Sequence, residues 1–242
     1  MSREQHLMTA TLRKTRVLEK RQLILRFLRE EIWSDTANLS MLLDVKSIAA
    51  TRTLKKLVEE ELIRSHALPT MGGQIILFGI TAHGQALAAE TGEDILDKVF
   101  IPSRVAPTYA RHTLDIQILR IRSERAGWTQ WVNADRIEKW VTGKMRPDAY
   151  AVSPDGRRFG IECERTIKSP KRYIDILSGW LQAIRRGDVS HVVWASPDEK
   201  IRDRLKQIVM GISQVRIAGQ DVLIPRDRFD NLAFVTYQEW PI

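Results

Sequence analysis

The chain has 242 residues, with 38 Lys and Arg against 30 Asp and Glu, a net charge of +8 and a pI near 9.8. At 43% hydrophobic and 28% charged residues the composition is globular, which excludes a fibrous or disordered chain, and the length suits one large domain or two small ones. No apolar run reaches the roughly 18–20 residues of a membrane span, and the single cysteine, Cys163, excludes a disulfide scaffold or a cysteine-rich zinc site.

The opening residues lack the apolar core of a secretory signal, so the expected setting is the cytoplasm. The net positive charge divides as +3 over residues 1–92 and +5 over the remainder, so both parts favour a polyanionic partner. Residues 20–33 carry a helical stripe of Leu23, Phe27, Leu28 and Ile32. Ser34-Asp35 breaks that helix and caps a short second one over 36–44. A third helix follows from Val45, with Ile48, Leu54, Leu57, Val58 and Leu62 expected inward and Lys46, Thr51, Arg52, Lys55 and Lys56 outward. Two strands, 63–68 and 74–80, flank the turn Met71-Gly72-Gly73. Three helices and a hairpin in this order make a winged helix-turn-helix, whose third helix enters a DNA groove through Arg52, Lys55 and Lys56. Docking of a protein partner is the other use such a module serves.

Gly92, Pro102, Ser103 and Pro107 then interrupt the periodicity, and the expected boundary separates 1–92 from 93–242. In the second part a helix is expected over 108–126, strands over 128–134, 147–153 and 158–166, a helix over 170–187 and a strand over 190–195. Ser153-Pro154-Asp155-Gly156 suits a type I turn with a left-handed glycine, which closes a three-residue hairpin loop. That register sets Asp148 across from Glu162, with Glu164 two residues further along the same face. Ala149, Ala151, Phe159, Ile161 and Cys163 fall on the opposite, apolar face, which makes Cys163 a core residue. Opposed carboxylates repel, so three of them need a cation or a shared proton. Their hard oxygens select Mg2+ or Mn2+. Between 144 and 186 ten Lys and Arg, among them Arg146, Arg165, Lys171 and Arg172, surround five acids. Carboxylates within such a field suit metal-assisted phosphodiester cleavage.

Pro147-Asp148, Glu162 and Glu164 resemble the PD-(D/E)XK nuclease pattern, with glutamate where that superfamily usually has lysine. Lys168 is then the first candidate for the missing ammonium and Lys171 the second. Over both parts the chain is similar to the replication-relaxation family and its MobC-type plasmid mobilisation relaxases. The similarity runs through Ile80-Thr81-Ala82-His83-Gly84, Arg111-His112-Thr113-Leu114, Arg146-Pro147-Asp148-Ala149 and Ile161-Glu162-Cys163-Glu164-Arg165-Thr166. It implies an α+β protein, with a winged helix followed by a restriction-endonuclease-like domain on a central mixed sheet. It further implies strand-specific nicking of plasmid DNA at an origin of transfer, aided by an accessory mobilisation protein and a type IV secretion coupling protein. Asp148, Glu162 and Glu164 become metal ligands, and Lys168 and His112 join them as catalytic candidates; His112 is equally well a surface histidine. Tyr173 is read as a DNA-backbone or packing residue, with the nucleophile role of tyrosine relaxases as the alternative. A second function class stays open: a non-enzymatic DNA-binding initiator or regulator with a degenerate nuclease domain.

Overall fold

The computed structural model describes residues 10–70, 72–134, 147–217 and 220–242. The fold is α+β. Among the described residues no helix is long and apolar enough to cross a membrane.

The chain divides into two compact units, Met1–Gln117 and Ile118–Ile242. In the first, α1 (Ala10–Glu31) leads through β1 (Trp33–Asp35) into α2 (Thr36–Leu43) and α3 (Ser47–Glu59). Asp35 caps α2 by accepting from the Asn38 amide at 2.8 Å. The antiparallel pair β2 (Ile63–Thr70) and β3 (Gly73–Ile80) follows, and β1 adds to β3 to give the order β1-β3-β2. Ile24, Leu25, Leu28, Leu39, Leu54 and Leu62 are fully buried. Leu23, expected inward, is 44% exposed because the buried stripe of α1 runs one residue later, through Ile24 and Leu25.

The division falls inside α5 (Pro107–Arg125), later than the glycine and proline punctuation suggests. The segment after α4 (Ala82–Ala88) packs back onto the first unit instead of linking away from it. Phe100 covers Gly79, where an added Cβ would stand 2.0 Å from its ring, and the Phe100 amide donates to Ile80 O at 2.9 Å. Gln117 is fully buried: its amide nitrogen donates to Trp33 O at 2.7 Å, and its oxygen accepts from Ser34 at 2.6 Å. These buried polar bonds tie Gln117 of α5 to β1.

The second unit carries β4 (Thr129–Asn133), β5 (Ala149–Val152), β6 (Arg158–Cys163), α6 (Pro170–Arg186), β7 (His191–Ser196) and α7 (Glu199–Met210). A separate ribbon, β8 (Gln214–Ile217) and β9 (Gln220–Leu223), precedes β10 (Leu232–Thr236). The main sheet has the order β10-β7-β6-β5-β4 and is mixed, since β7 pairs in parallel with both β6 and β10 while β4, β5 and β6 are antiparallel.

The β5–β6 register matches Ala149 with Ile161 and Ala151 with Phe159. Gly156 has φ +84°, and Ser153 N donates to Arg157 O at 2.9 Å. Ala149, Ala151, Phe159, Ile161 and Cys163 are all buried on one face. There Trp128 lies 4.8 Å from Phe159 and 4.7 Å from Trp240, ring centre to ring centre. The opposite face is covered too. Tyr173, Ile176, Leu177, Trp180 and Ala183 form the buried stripe of α6, at three-to-four spacing. Helix approach is possible only because position 160 has no side chain: a Cβ there would meet the Trp180 ring at 2.0 Å. Gly160→Ala is therefore expected to cost about 1–3 kcal/mol in urea unfolding, the usual toll of overpacking. Trp180→Phe removes the benzo atoms nearest that Cβ, so the two substitutions should combine non-additively.

Candidate functional site

Asp148 stands just before β5, Glu162 near the end of β6 and Glu164 one residue past it. The antiparallel register continues through Asp148, whose amide donates to Ile161 O at 3.1 Å. Its carboxylate Oδ2 accepts from the Cys163 amide at 2.7 Å. Glu162 points to the α6 side of the sheet and is only 6% exposed. Trp180 Nε1 donates to its Oε1 at 2.9 Å. Glu164 is 3% exposed, and its amide donates to Ala195 O at 2.8 Å, carrying the strand pairing one residue further.

The sequence places the carboxylates on one face, and α6 roofs the two glutamates there. Burial pushes the Glu162 carboxyl well above the usual carboxylate range. The nearby Asp148 charge adds to that push, and Glu164 adds a little more. Lys168 and the Trp180 hydrogen bond pull the other way without cancelling it.

Glu164 has its own partners. Lys168 Nζ lies 2.9 Å from its Oε2, an i,i+4 pair in which the lysine side chain is 40% exposed. The Tyr173 hydroxyl bonds to Glu164 and accepts from the Lys168 amide at 2.9 Å. Lys168 thus brings an ammonium to the position beside the carboxylates, while Lys171 is exposed on the first turn of α6.

Of the two roles expected for Tyr173, packing is the one that fits its full burial as the first residue of the α6 stripe. Desolvation and the Glu164 charge push its phenol up to about 12. Cys163 is buried on the other face, with Sγ 3.2 Å from the Tyr237 hydroxyl.

The ring of cations is smaller than the sequence count suggests. Arg157 pairs with Asp155 and Arg186 with Asp188, each at 2.7 Å, at the hairpin end of the sheet. Five strand steps separate Arg158 from Cys163, about 16 Å. Arg165, Lys168, Lys171 and Arg172 remain at the carboxylate end; Arg165 is half-buried, and Lys171 and Arg172 are exposed. Arg146 and Lys144 lie outside the described residues.

Carboxylate oxygens suit a divalent cation. Asp148 and Glu162 are the part of the set that fits one, since their mutual repulsion in a buried place is what a cation relieves. Glu164 fits less well as a ligand, because Lys168 and Tyr173 already hold it. Among the described residues no group of three or more His, Cys, Asp or Glu side chains is disposed to hold a metal ion. Trp180 is the residue that sequence reasoning missed. Its signal was its place seven residues after Tyr173 on an amphipathic helix, which gives core position but not a polar partner.

In the first unit Arg52, Lys55 and Lys56 are exposed on α3. Ile48, expected inward, is 71% exposed on that helix, and Ala50 takes the buried place. His112 is half-buried on α5, one turn before buried Asp115.

No family model and no curated protein matches the chain. Among solved structures, an apo-form mutant of ZitR from Lactococcus lactis is similar at 27% identity over 33% of this chain, with a TM-score of 0.27. The chain spans 59% of the length of that protein.

The raised Glu162 carboxyl has a signed effect on stability. Folded Glu162 keeps its proton above 4.5, where the unfolded side chain releases it. Its contribution is complete below that pH and is lost as pH rises toward the folded value. In EDTA, Glu162→Gln should therefore unfold at higher temperature than the parent at mildly alkaline pH, and the gap should close toward pH 4.5. A gap that widens on acidification would contradict this assignment.

Proposed function

We propose that the chain is a metal-dependent DNA endonuclease that nicks one strand at a plasmid origin of transfer, as a mobilisation relaxase does. The observation that carries this reading is the buried Glu162, held between Asp148 and Trp180 at a strand end where exposed cations gather. Carboxylates are buried at such cost chiefly where they are used. In this reading the first unit works as a winged helix and the second as a restriction-endonuclease-like domain.

Asp148 and Glu162 would hold Mg2+ or Mn2+. A bound divalent cation supplies charge neutralisation at the phosphate and lowers the pKa of water. Trp180 fixes the rotamer of Glu162 by its indole hydrogen bond. Lys168, already drawn to the site by Glu164, places a positive charge where negative charge builds up on the phosphate. Lys171 and Arg172 bind flanking phosphates from the α6 first turn, and Arg165 supplies a further cation. The full burial of the Tyr173 side chain supports hydrolysis over a tyrosyl intermediate. The cytoplasm, an accessory mobilisation protein and a type IV coupling protein complete the proposal.

One observation favours a second reading. Glu164 is paired internally with the Lys168 ammonium and hydrogen-bonded to Tyr173, which leaves it less free to serve a metal ion. In that reading the protein is a DNA-binding initiator or regulator with a degenerate nuclease domain.

Supercoiled plasmid carrying the DNA that flanks the gene, with Mg2+ or Mn2+ against EDTA, separates the two. The nuclease reading expects a nicked circle with metal and none with EDTA. Asp148→Ala and Glu162→Gln should each slow nicking about a hundredfold or more, the scale of losing a main electrostatic group. Salt-sensitive binding without a nick at any metal concentration establishes the second reading.

A further inference from the structure

The exposed isoleucine on α3 is unexpected. Apolar spacing sorts Ile48 with Leu54 and Leu57, yet those two are buried and Ile48 is 71% exposed. No other large apolar side chain of α3 is exposed, so there is no contiguous patch of the kind that marks a protein interface on this helix. The neighbours of Ile48 on the same face are Arg52 and Lys55, at i+4 and i+7. Both are exposed, and among the described residues neither is held in an ion pair or side-chain hydrogen bond. One aliphatic side chain followed by unpaired cations at helical spacing is complementary to a groove that offers an isolated methyl group between rows of phosphates.

Only one base offers that methyl in the major groove: thymine, at C5. Isoleucine has no donor or acceptor and so can recognise no other feature of a base edge. Arg52, one turn along, has the forked donors that match guanine O6 and N7. Four residues of helix advance about 6 Å, which is about two base-pair steps.

We propose that α3 reads sequence in the major groove of duplex DNA, with Ile48 against a thymine methyl and Arg52 on a guanine within about two base pairs of it. Lys55 anchors the helix to the backbone. This rests on the reading of the first unit as a DNA-binding module and adds what that module selects. Ile48 and Arg52 are the specificity-determining residues, and Lys55 contributes affinity without sequence preference.

The test uses the full chain in EDTA. Duplexes are first selected from a randomised pool. Binding is then titrated on the selected duplex, on the same duplex with the thymine replaced by deoxyuridine, and on one with 7-deazaguanine at the guanine. The parent should bind the deoxyuridine duplex about fourfold more weakly, the worth of one buried methyl group. Ile48→Ala should bind the thymine and deoxyuridine duplexes equally, and Arg52→Ala should lose its response to 7-deazaguanine. Both side chains are exposed, so thermal unfolding of the two variants should match the parent. If the parent selects a sequence but Ile48→Ala keeps the methyl response, this inference falls and the DNA-binding reading stands. If the parent selects nothing and binds no duplex, both fall together.

Discussion

The second unit is organised around the burial of a carboxylate. Glu162 sits on the sheet beneath α6, almost fully buried, where charge is expensive. Three conditions make the placement tolerable. A proton or a cation must offset the charge, Trp180 must supply a hydrogen bond, and Gly160 must leave room for the indole to reach. The last is a steric condition that serves an electrostatic one. The closeness of α6 to the sheet, the depth of the site and the orientation of Glu162 all follow from the missing Cβ at position 160. A helix held further off would open the site to water and bring Glu162 back toward an ordinary carboxylate.

Much of this arrangement was legible in the sequence, because it is encoded locally. The Ser153-Pro154-Asp155-Gly156 turn set the β5–β6 register, and the register set which side chains share a face with Asp148 and Glu162. The Asp35 cap, the α3 cations and the length of α6 are local as well. What could not be read was decided by partners distant in the chain. The amphipathic stripe of α6 was visible, but not that it roofs the carboxylates. Nothing local distinguishes Glu164 as a metal ligand from Glu164 as the partner of Lys168 and Tyr173. Counting cations along the chain placed Arg157 and Arg186 beside the site, whereas strand length puts them at the far end. Ile48 failed for a related reason: periodicity gives the helix face by majority, and a lone residue against the majority is invisible to it.

The boundary between units shows a different limit. Glycine and proline punctuate the backbone wherever they fall, whether or not packing stops there. Residues 93–117 are punctuated and yet belong to the first unit, because Phe100 and Gln117 complete its interior. Gln117 in particular spends its whole amide on the first unit's own chain, taking bonds from Ser34 and giving one to Trp33. A buried amide that satisfies several partners is strongly position-specific. It commits this part of α5 to β1.

Trp240 closes long sequence separations within the second unit. Its indole nitrogen donates to Leu119 O at 3.1 Å and to Ser123 Oγ at 2.7 Å, closing separations of 121 and 117 residues. The second unit is therefore fastened by its two ends. During synthesis the first unit has all of its own residues by Gln117 and is free to fold while the rest is still being made. The Trp128 and Phe159 face of the second unit is complete only when Trp240 arrives, after β5, β6 and α6 have emerged. The nascent chain thus passes through a stage in which one half is finished and the other holds an apolar sheet face without its lid. That is the interval in which chaperone contact matters most to it.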